Sequence, residues 1–335
     1  MTESAAPKRT VRLPSWLGPW ELMLTALVVL AFVLASATNP YFATADNFAI
    51  TAIGALGLCL MVVPMAWLMT AGEIDLSVAS AFGLSAAIFG VTLRAGLPAW
   101  LAIGVGILAG AVAGLVNGIL VVDVGLPSLI VTIGTLGLYR GCAYILLGNE
   151  GVSELPRALT SFAQDSVPGS LVPYGFLAFL ALAAAAAVLL HRGAIGRKVF
   201  AIGSNPEVAR FSGLAVRRIK RSLFVFSGTV AAVAGIAYSG YISTVRATNG
   251  TGLELVVIGI VLIGGVSMYG GRGSFADVLL ALILVTVVTS WMTLDDAETA
   301  VQYMVTGLLM IGAVVVPALA ARIRAARDRR TGGRS

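Results

Sequence analysis

Charge is scarce in this chain. Only 11% of its 335 residues are Asp, Glu, Lys or Arg, against roughly 25% in a soluble domain. Histidine occurs once and cysteine twice. The shortage of charge excludes an ordinary soluble globule, which at this apolar content would expose large greasy patches and aggregate. His191, Cys59 and Cys142 are too few to build a zinc cluster or a disulfide framework. Both cysteines fall inside apolar runs and read as small packing residues. No Gly-x-x-x-x-Gly-Lys-Ser/Thr loop is present, and neither His-Glu-x-x-His nor Gly-x-Ser-x-Gly. The chain therefore offers no phosphate cradle and no hydrolytic centre of those kinds. We expect it not to be an enzyme and to hold no cofactor of its own.

What the chain has is apolar sequence, 58% of its residues. A membrane span needs about 20 such residues. Candidates fall at 20–38, 50–70, 77–93, 97–121, 127–147, 171–190, 222–242, 253–269, 275–293 and 299–318. The expected fold is all-α, a polytopic bundle of about ten spans. The formal charge is +6, yet its distribution argues against nucleic acid. Arg192, Arg197, Lys198, Arg210, Arg217, Arg218, Lys220 and Arg221 crowd one loop, and Arg322 to Arg334 crowd the C-terminal tail. Basic residues mark the cytoplasmic side, so both termini are expected in the cytoplasm. Lys8, Arg9 and Arg12 precede the first run without a cleavage site, which reads as an uncleaved anchor. The layout is a tail at 1–19, a transmembrane domain at 20–320 and a basic tail at 321–335.

The most telling stretch runs from Gly250 to Ser274. It is apolar, broken by glycine at its start, middle and end, and carries Glu254. A carboxylate at membrane depth costs a few kcal/mol unless it meets a partner or water. The segment is expected at the bundle centre, lining a route. The breaks at 71–76 and 270–274 could be re-entrant turns, with Gly72, Asp75, Gly271, Arg272 and Gly273 as their structural residues. Ser77 is placed to cap the third span, and Ser274 with Asp277 matches a capping box. The stretch 131–139 is weakly similar to 261–269, a hint of paired glycine-broken segments. Arg140 ends a span and reads as a snorkelling residue. His191, at another span end, reads as interfacial.

The basic loop has its own signals. Asn205 suits an N-cap, Pro206 the first helical position, Glu207 the positive end of the dipole and Gly213 the stop. A helix of about two turns is expected, carrying Val208, Ala209, Arg210 and Phe211: either a docking knob or a loop that only enforces topology.

Four stretches then carry a resemblance: Ala71 to Ser80; Asn117-Gly118 with Gly125 to Gly141; Gly203 to Gly213, continuing to Ser227-Gly228 and Ala234-Gly235; and Gly264-Gly265 with Gly270 to Ser274. In these the chain resembles permease subunits of ABC importers for monosaccharides, the ribose, xylose, rhamnose and autoinducer-2 type. Glu73 and Ala79 stand where that family commonly has glycine. The resemblance implies a permease paired with a second copy or a paralogue in the bacterial inner membrane. It implies an ABC ATPase subunit that binds ATP and Mg, an extracytoplasmic solute-binding protein, and a monosaccharide as cargo. The coupling residues would be Asn205, Pro206, Glu207, Ala209, Arg210 and Gly213.

A neutral sugar needs hydrogen-bonding groups along its path. Asn117, Thr132, Thr135, Tyr139, Glu254 and Gln302 are the candidates, each equally readable as a helix–helix contact. Alternatives are an ABC permease for nucleosides or branched-chain amino acids, or a secondary transporter driven by an ion gradient.

Overall fold

A computed structural model describes residues 18–315 except 149, 299, 303, 313 and 314. Among them the fold is nearly all helix. The elements are α1 (Pro19–Thr38), α2 (Ala45–Gly54), α3 (Leu56–Thr70), α4 (Val78–Arg94), α5 (Ala99–Val122), α6 (Ser128–Leu147), α7 (Arg157–Gln164), α8 (Tyr174–His191), α9 (Ala194–Ser204), α10 (Pro206–Phe211), α11 (Val216–Ile242), α12 (Leu253–Ile263) and α13 (Phe275–Leu294). A shorter apolar helix follows over Ala300–Gly312. Only two isolated bridges, Val152 with Val245 and Ser166 with Pro173, add extended pairing.

Among the described residues six helices are long and apolar enough to cross a membrane: α1, α5, α6, α8, α11 and α13. The pair α2 and α3, bent by 55° at Ala55, would be a seventh if counted as one span. The expected span 253–269 is helical only over Leu253–Ile263. Eleven residues rise about 17 Å, well short of the roughly 30 Å hydrocarbon core. The similarity of 131–139 to 261–269 likewise does not survive in the backbone. The first lies wholly within α6, whereas the second leaves the helix at Gly264.

Burial tells which helices are central. Some 72% of the α11 span window is buried, against 11% for α1. Helix α3 is buried along almost its whole length. Helices α5 and α11 meet backbone to backbone at Gly110 and Gly228, where a Cβ on either residue would strike the other's carbonyl. Small residues allow such an approach, and dispersion contact then holds the helices where lipid gives no hydrophobic drive.

Two ends of the bundle are chemically distinct. One is basic: it carries α9, α10 and the start of α11. There Lys220 pairs with Glu73 and Arg221 with Asp123, tying α11 to the 71–77 turn and to the end of α5. His191 lies at this end, accepting a hydrogen bond from the Phe275 amide at Nε2 (3.0 Å), which satisfies an orphan donor of α13. At the far end Asn39 donates to the Leu294 carbonyl (3.2 Å) and to Asp295 (3.0 Å), joining α1 to α13.

Two expected caps are corrected. Ser77 and Ser274 do occupy N-cap positions, but neither side chain caps its helix. Ser77 Oγ instead donates to Asp75 Oδ1 (2.6 Å), because a buried carboxylate is the stronger acceptor. Cys59 is buried, Cys142 is half-buried and both are free.

Candidate functional site

Between α11 and α12 the chain abandons the helix. Ser243 turns it with φ +54°, and Gly250 and Gly252 take φ +79° and +86°. Gln164 of α7 marks the exit, its Nε2 donating to the carbonyls of Gly240 and Tyr241 and to Ser243 Oγ. From there the segment runs back along α4. A Cβ on Gly90 would meet Val245, and one on Gly250 would meet Phe82 and the Ala79 carbonyl. The segment thus descends most of the length of α4 before α12 begins. Non-helical backbone inside a bundle of membrane spans needs protein or water around it.

It has a cavity in front of it. A space of about 740 Å³ opens at the far end, between α2, the end of α11, this segment and α13. Most of the lining area is apolar, and hydroxyl-bearing side chains supply most of its polar groups. Thr286, Thr289, Ser290 and Thr293 come from α13, Asn47 and Thr51 from α2, Tyr238 and Tyr241 from α11, and Thr244, Thr248, Asn249 and Thr251 from the segment. Asn47, Thr51 and Ser290 are already bonded to one another, with Thr51 Oγ1 and Ser290 Oγ 2.8 Å apart. One cation, Arg246, lines the space, and no carboxylate does among the described residues. Leu58, Ala55 and Leu253 contribute apolar wall. The arrangement suits a neutral polyol, whose hydroxyls need donors and acceptors and whose carbon faces need apolar wall.

Sequence reasoning passed over most of this lining. The signal was available in α13, where Thr286, Thr289, Ser290 and Thr293 recur at the spacing of one helical face inside an apolar run. Of the stretch from Gly250 to Ser274, Gly250, Thr251 and Leu253 do reach the cavity.

The six expected path residues lie elsewhere. Four are buried together, nearer the basic end. Asn117 Nδ2 donates to Ser77 Oγ (2.7 Å), and Tyr139 Oη donates to Asn117 Oδ1 (3.2 Å) and to the Ala113 carbonyl (2.9 Å). Thr132 donates to the carbonyls of Ser128 and Ile74, and Thr135 to that of Val131. Asp75 anchors this seam by accepting from the Ser77 amide and hydroxyl and from Ser227 Oγ (2.9 Å) in α11. Glu254 sits in the first turn of α12 and Gln302 donates to the Ala297 carbonyl. None of the six lines the cavity.

The basic loop folds as its signals suggest. Asn205 Oδ1 accepts from the amides of Glu207 and Val208, both at 3.0 Å, and Pro206 opens α10. The helix ends at Phe211, with Gly213 at φ +83° just beyond. Phe211 is 83% exposed and Val208 is exposed beside it, with the Arg210 guanidinium over the Phe211 ring. Ala209 is the buried root. Behind this knob, α9 is locked to the bundle. Gly203 lies so close to Thr70 and Gly271 that a Cβ would strike both backbones, and the Gly271 amide donates to the Thr70 carbonyl (2.9 Å). Gly72 and Gly271 turn with positive φ, Gly273 does likewise, and Arg272 is exposed. Through Gly203, α9 thus contacts the ends of both turns flanking the bundle's centre.

The chain matches the family model described as "Branched-chain amino acid transport system / permease component" over residues 41–314. It is 31% identical over 302 residues to the autoinducer 2 import system permease protein LsrD of Yersinia pseudotuberculosis (strain YPIII), covering 88% of this chain and 90% of that one. It is 32% identical over 302 residues to the protein of the same description from Escherichia coli (strain K12), covering 88% and 91%. No solved structure matches the chain.

Proposed function

The chain belongs to the family of branched-chain amino acid transport system permease components, a multi-pass membrane subunit of the ATP-binding-cassette importer type, and from that premise we propose that its cargo is a monosaccharide or a similar small neutral polyol. The observation that carries the cargo reading is the hydroxyl-lined cavity at the far end, which lacks carboxylates among the described residues. A branched-chain amino acid bears an ammonium as well as a carboxylate. Arg246 could meet the second, but nothing in the described lining would neutralise the first, and a buried unpaired charge is costly. The relatives from Yersinia pseudotuberculosis and Escherichia coli are described as permeases for autoinducer 2 import, not for a branched-chain amino acid.

The architecture completes as ten crossings. Helices α1, α2 with α3, α4, α5, α6, α8, α11, the non-helical segment with α12, α13 and the helix after it alternate direction between the two chemically distinct ends. The basic end then faces the cytoplasm with both termini, and the cavity opens outward toward a solute-binding protein. Helix α10 is the docking knob for the ATPase subunit, which binds ATP and Mg. The exposed Phe211 and Val208 supply its apolar contact, and Arg210 its charge. A second permease copy or paralogue completes the membrane unit. Asn117, Thr132, Thr135 and Tyr139 join the route only when the bundle opens toward the basic end, since here they are spent on one another and on neighbouring backbone. An ion-coupled carrier is the weaker reading, because the cavity offers no acid to hold a cation.

The test is uptake into proteoliposomes holding the permease with its ATPase and binding protein. Replacing Thr289 by Val and Ser290 by Ala together should raise the KM for a neutral sugar by about tenfold, the worth of one or two hydrogen bonds. Unchanged sugar affinity, with a branched-chain amino acid carried better than any sugar, would overturn the cargo assignment.

A further inference from the structure

The non-helical segment poses an accounting problem. Its carbonyls lie within a bundle of membrane spans, and each must find a donor. Several are satisfied nearby. The Val245 carbonyl accepts from the Val152 amide, that of Arg246 from the Asn249 amide, that of Thr248 from Thr251, and that of Gly250 from the Leu253 amide. The carbonyls of Ala247 and Asn249 find their donor in a side chain from α6. Both accept from one atom, Nη1 of Arg140, at 2.8 Å each. The same guanidinium reaches the Ala79 carbonyl in the first turn of α4 through Nη2 (3.2 Å).

Arg140 therefore does not snorkel to an interface, as its place in the sequence suggests. It is half-buried. Gly83 makes room for it, since a Cβ there would crowd Nη1 and the Asn249 carbonyl. The residue is absent from the cavity lining, whereas Thr248 and Asn249, whose segment it grips from behind, are part of that lining.

We propose that Arg140 is a positioning residue for transport: its guanidinium clasps the non-helical wall of the cavity to α4 and α6 and so fixes the side chains that the solute meets. The proposal rests on the reading of the cavity as the solute route. Only an Arg-like fork fits the task, because three carbonyls approach from different directions and two of them share one nitrogen. Lysine presents a compact ammonium on a flexible stem and cannot span the same set.

The experiment joins two readouts in one reconstituted complex of permease, ATPase and binding protein. Cys59 and Cys142 are replaced by Ala, Thr248→Cys is introduced as a reporter, and Arg140→Lys and Arg140→Met are compared with Arg140. The labelling rate of the reporter by a small impermeant maleimide reads the wall directly, and sugar uptake is measured in the same variants with Thr248 restored. With the clasp broken, labelling should change by at least roughly fivefold and the KM for uptake should rise about tenfold, the value of one lost charge-assisted hydrogen bond. ATPase docking, read by co-purification, should stay intact. If Arg140→Met fails to insert, Arg140→Lys decides alone. Unchanged labelling in Arg140→Lys refutes the clasp. Altered labelling with normal uptake refutes instead the cavity as the route and with it the positioning role. Altered labelling together with raised KM is the result the proposal requires.

Discussion

Asp75 shows how much one side chain organises. It sits in the turn before α4, 2% exposed, and takes hydrogen bonds from the Ser77 amide, the Ser77 hydroxyl and the Ser227 hydroxyl. Through Ser77 it reaches Asn117 and through Asn117 it reaches Tyr139. Four elements are joined in this way through hydroxyl, amide and carboxylate groups. Asp75→Ala would strand the two serine hydroxyls, each unsatisfied group costing about 1–3 kcal/mol. The thermal midpoint of the detergent-solubilised protein should fall, whereas Asp75→Asn, which keeps acceptor capacity on one atom, should fall less. Equal loss in both would mean that charge, not acceptor count, matters there. On α10, Arg210→Glu reverses the charge at the surface proposed to meet the ATPase subunit. It should abolish uptake-coupled ATP hydrolysis while membrane insertion stays normal, and coupled uptake at the normal rate would remove the docking role.

At the scale of elements, α10 is a helix of six residues with little of its own to hold it. Its cap is therefore decisive. Asn205→Ala should cost about 1 kcal/mol locally and lower coupling efficiency, read as sugar moved per ATP hydrolysed, without weakening sugar affinity. The α5–α11 contact is the opposite case, a long seam set by backbone approach. Gly228→Leu should cost about 1–3 kcal/mol or more through overpacking and shift thermal unfolding, whereas Gly104→Ala in α5, where a Cβ meets open space, should not. Much of this was legible in the sequence. Apolar runs of span length announce α1, α5, α6, α8, α11 and α13, and Asn205, Pro206 and Gly213 announce α10 residue by residue. What could not be read was distance across the chain. Ser77 looks like a cap until its hydroxyl donates to Asp75 instead, and Arg140 looks terminal until residues 243–252 fold back to meet it. The hydroxyl face of α13 was visible as a pattern, but only the fold shows that it shares a cavity with Asn47 and Tyr241.

For the whole molecule, the two ends carry different chemistry. One presents a cavity bearing hydroxyls and no carboxylates among its described lining residues, the other a basic surface from which α10 projects. Between them Gly203, Thr70 and Gly271 lock α9 to the bundle, so force applied at α10 has a solid path inward. Such a device moves solute uphill only if a separate ATPase supplies the work, as a two-state bundle shifts only as far as differential binding drives it. The most direct test reconstitutes the permease in sealed vesicles and follows accumulation of a labelled neutral sugar in the presence of its binding protein. Accumulation should appear when the ATPase subunit and Mg-ATP are both supplied on the side of the basic loop, and should vanish when either is withheld. Accumulation by the permease alone under a proton or sodium gradient would contradict the account.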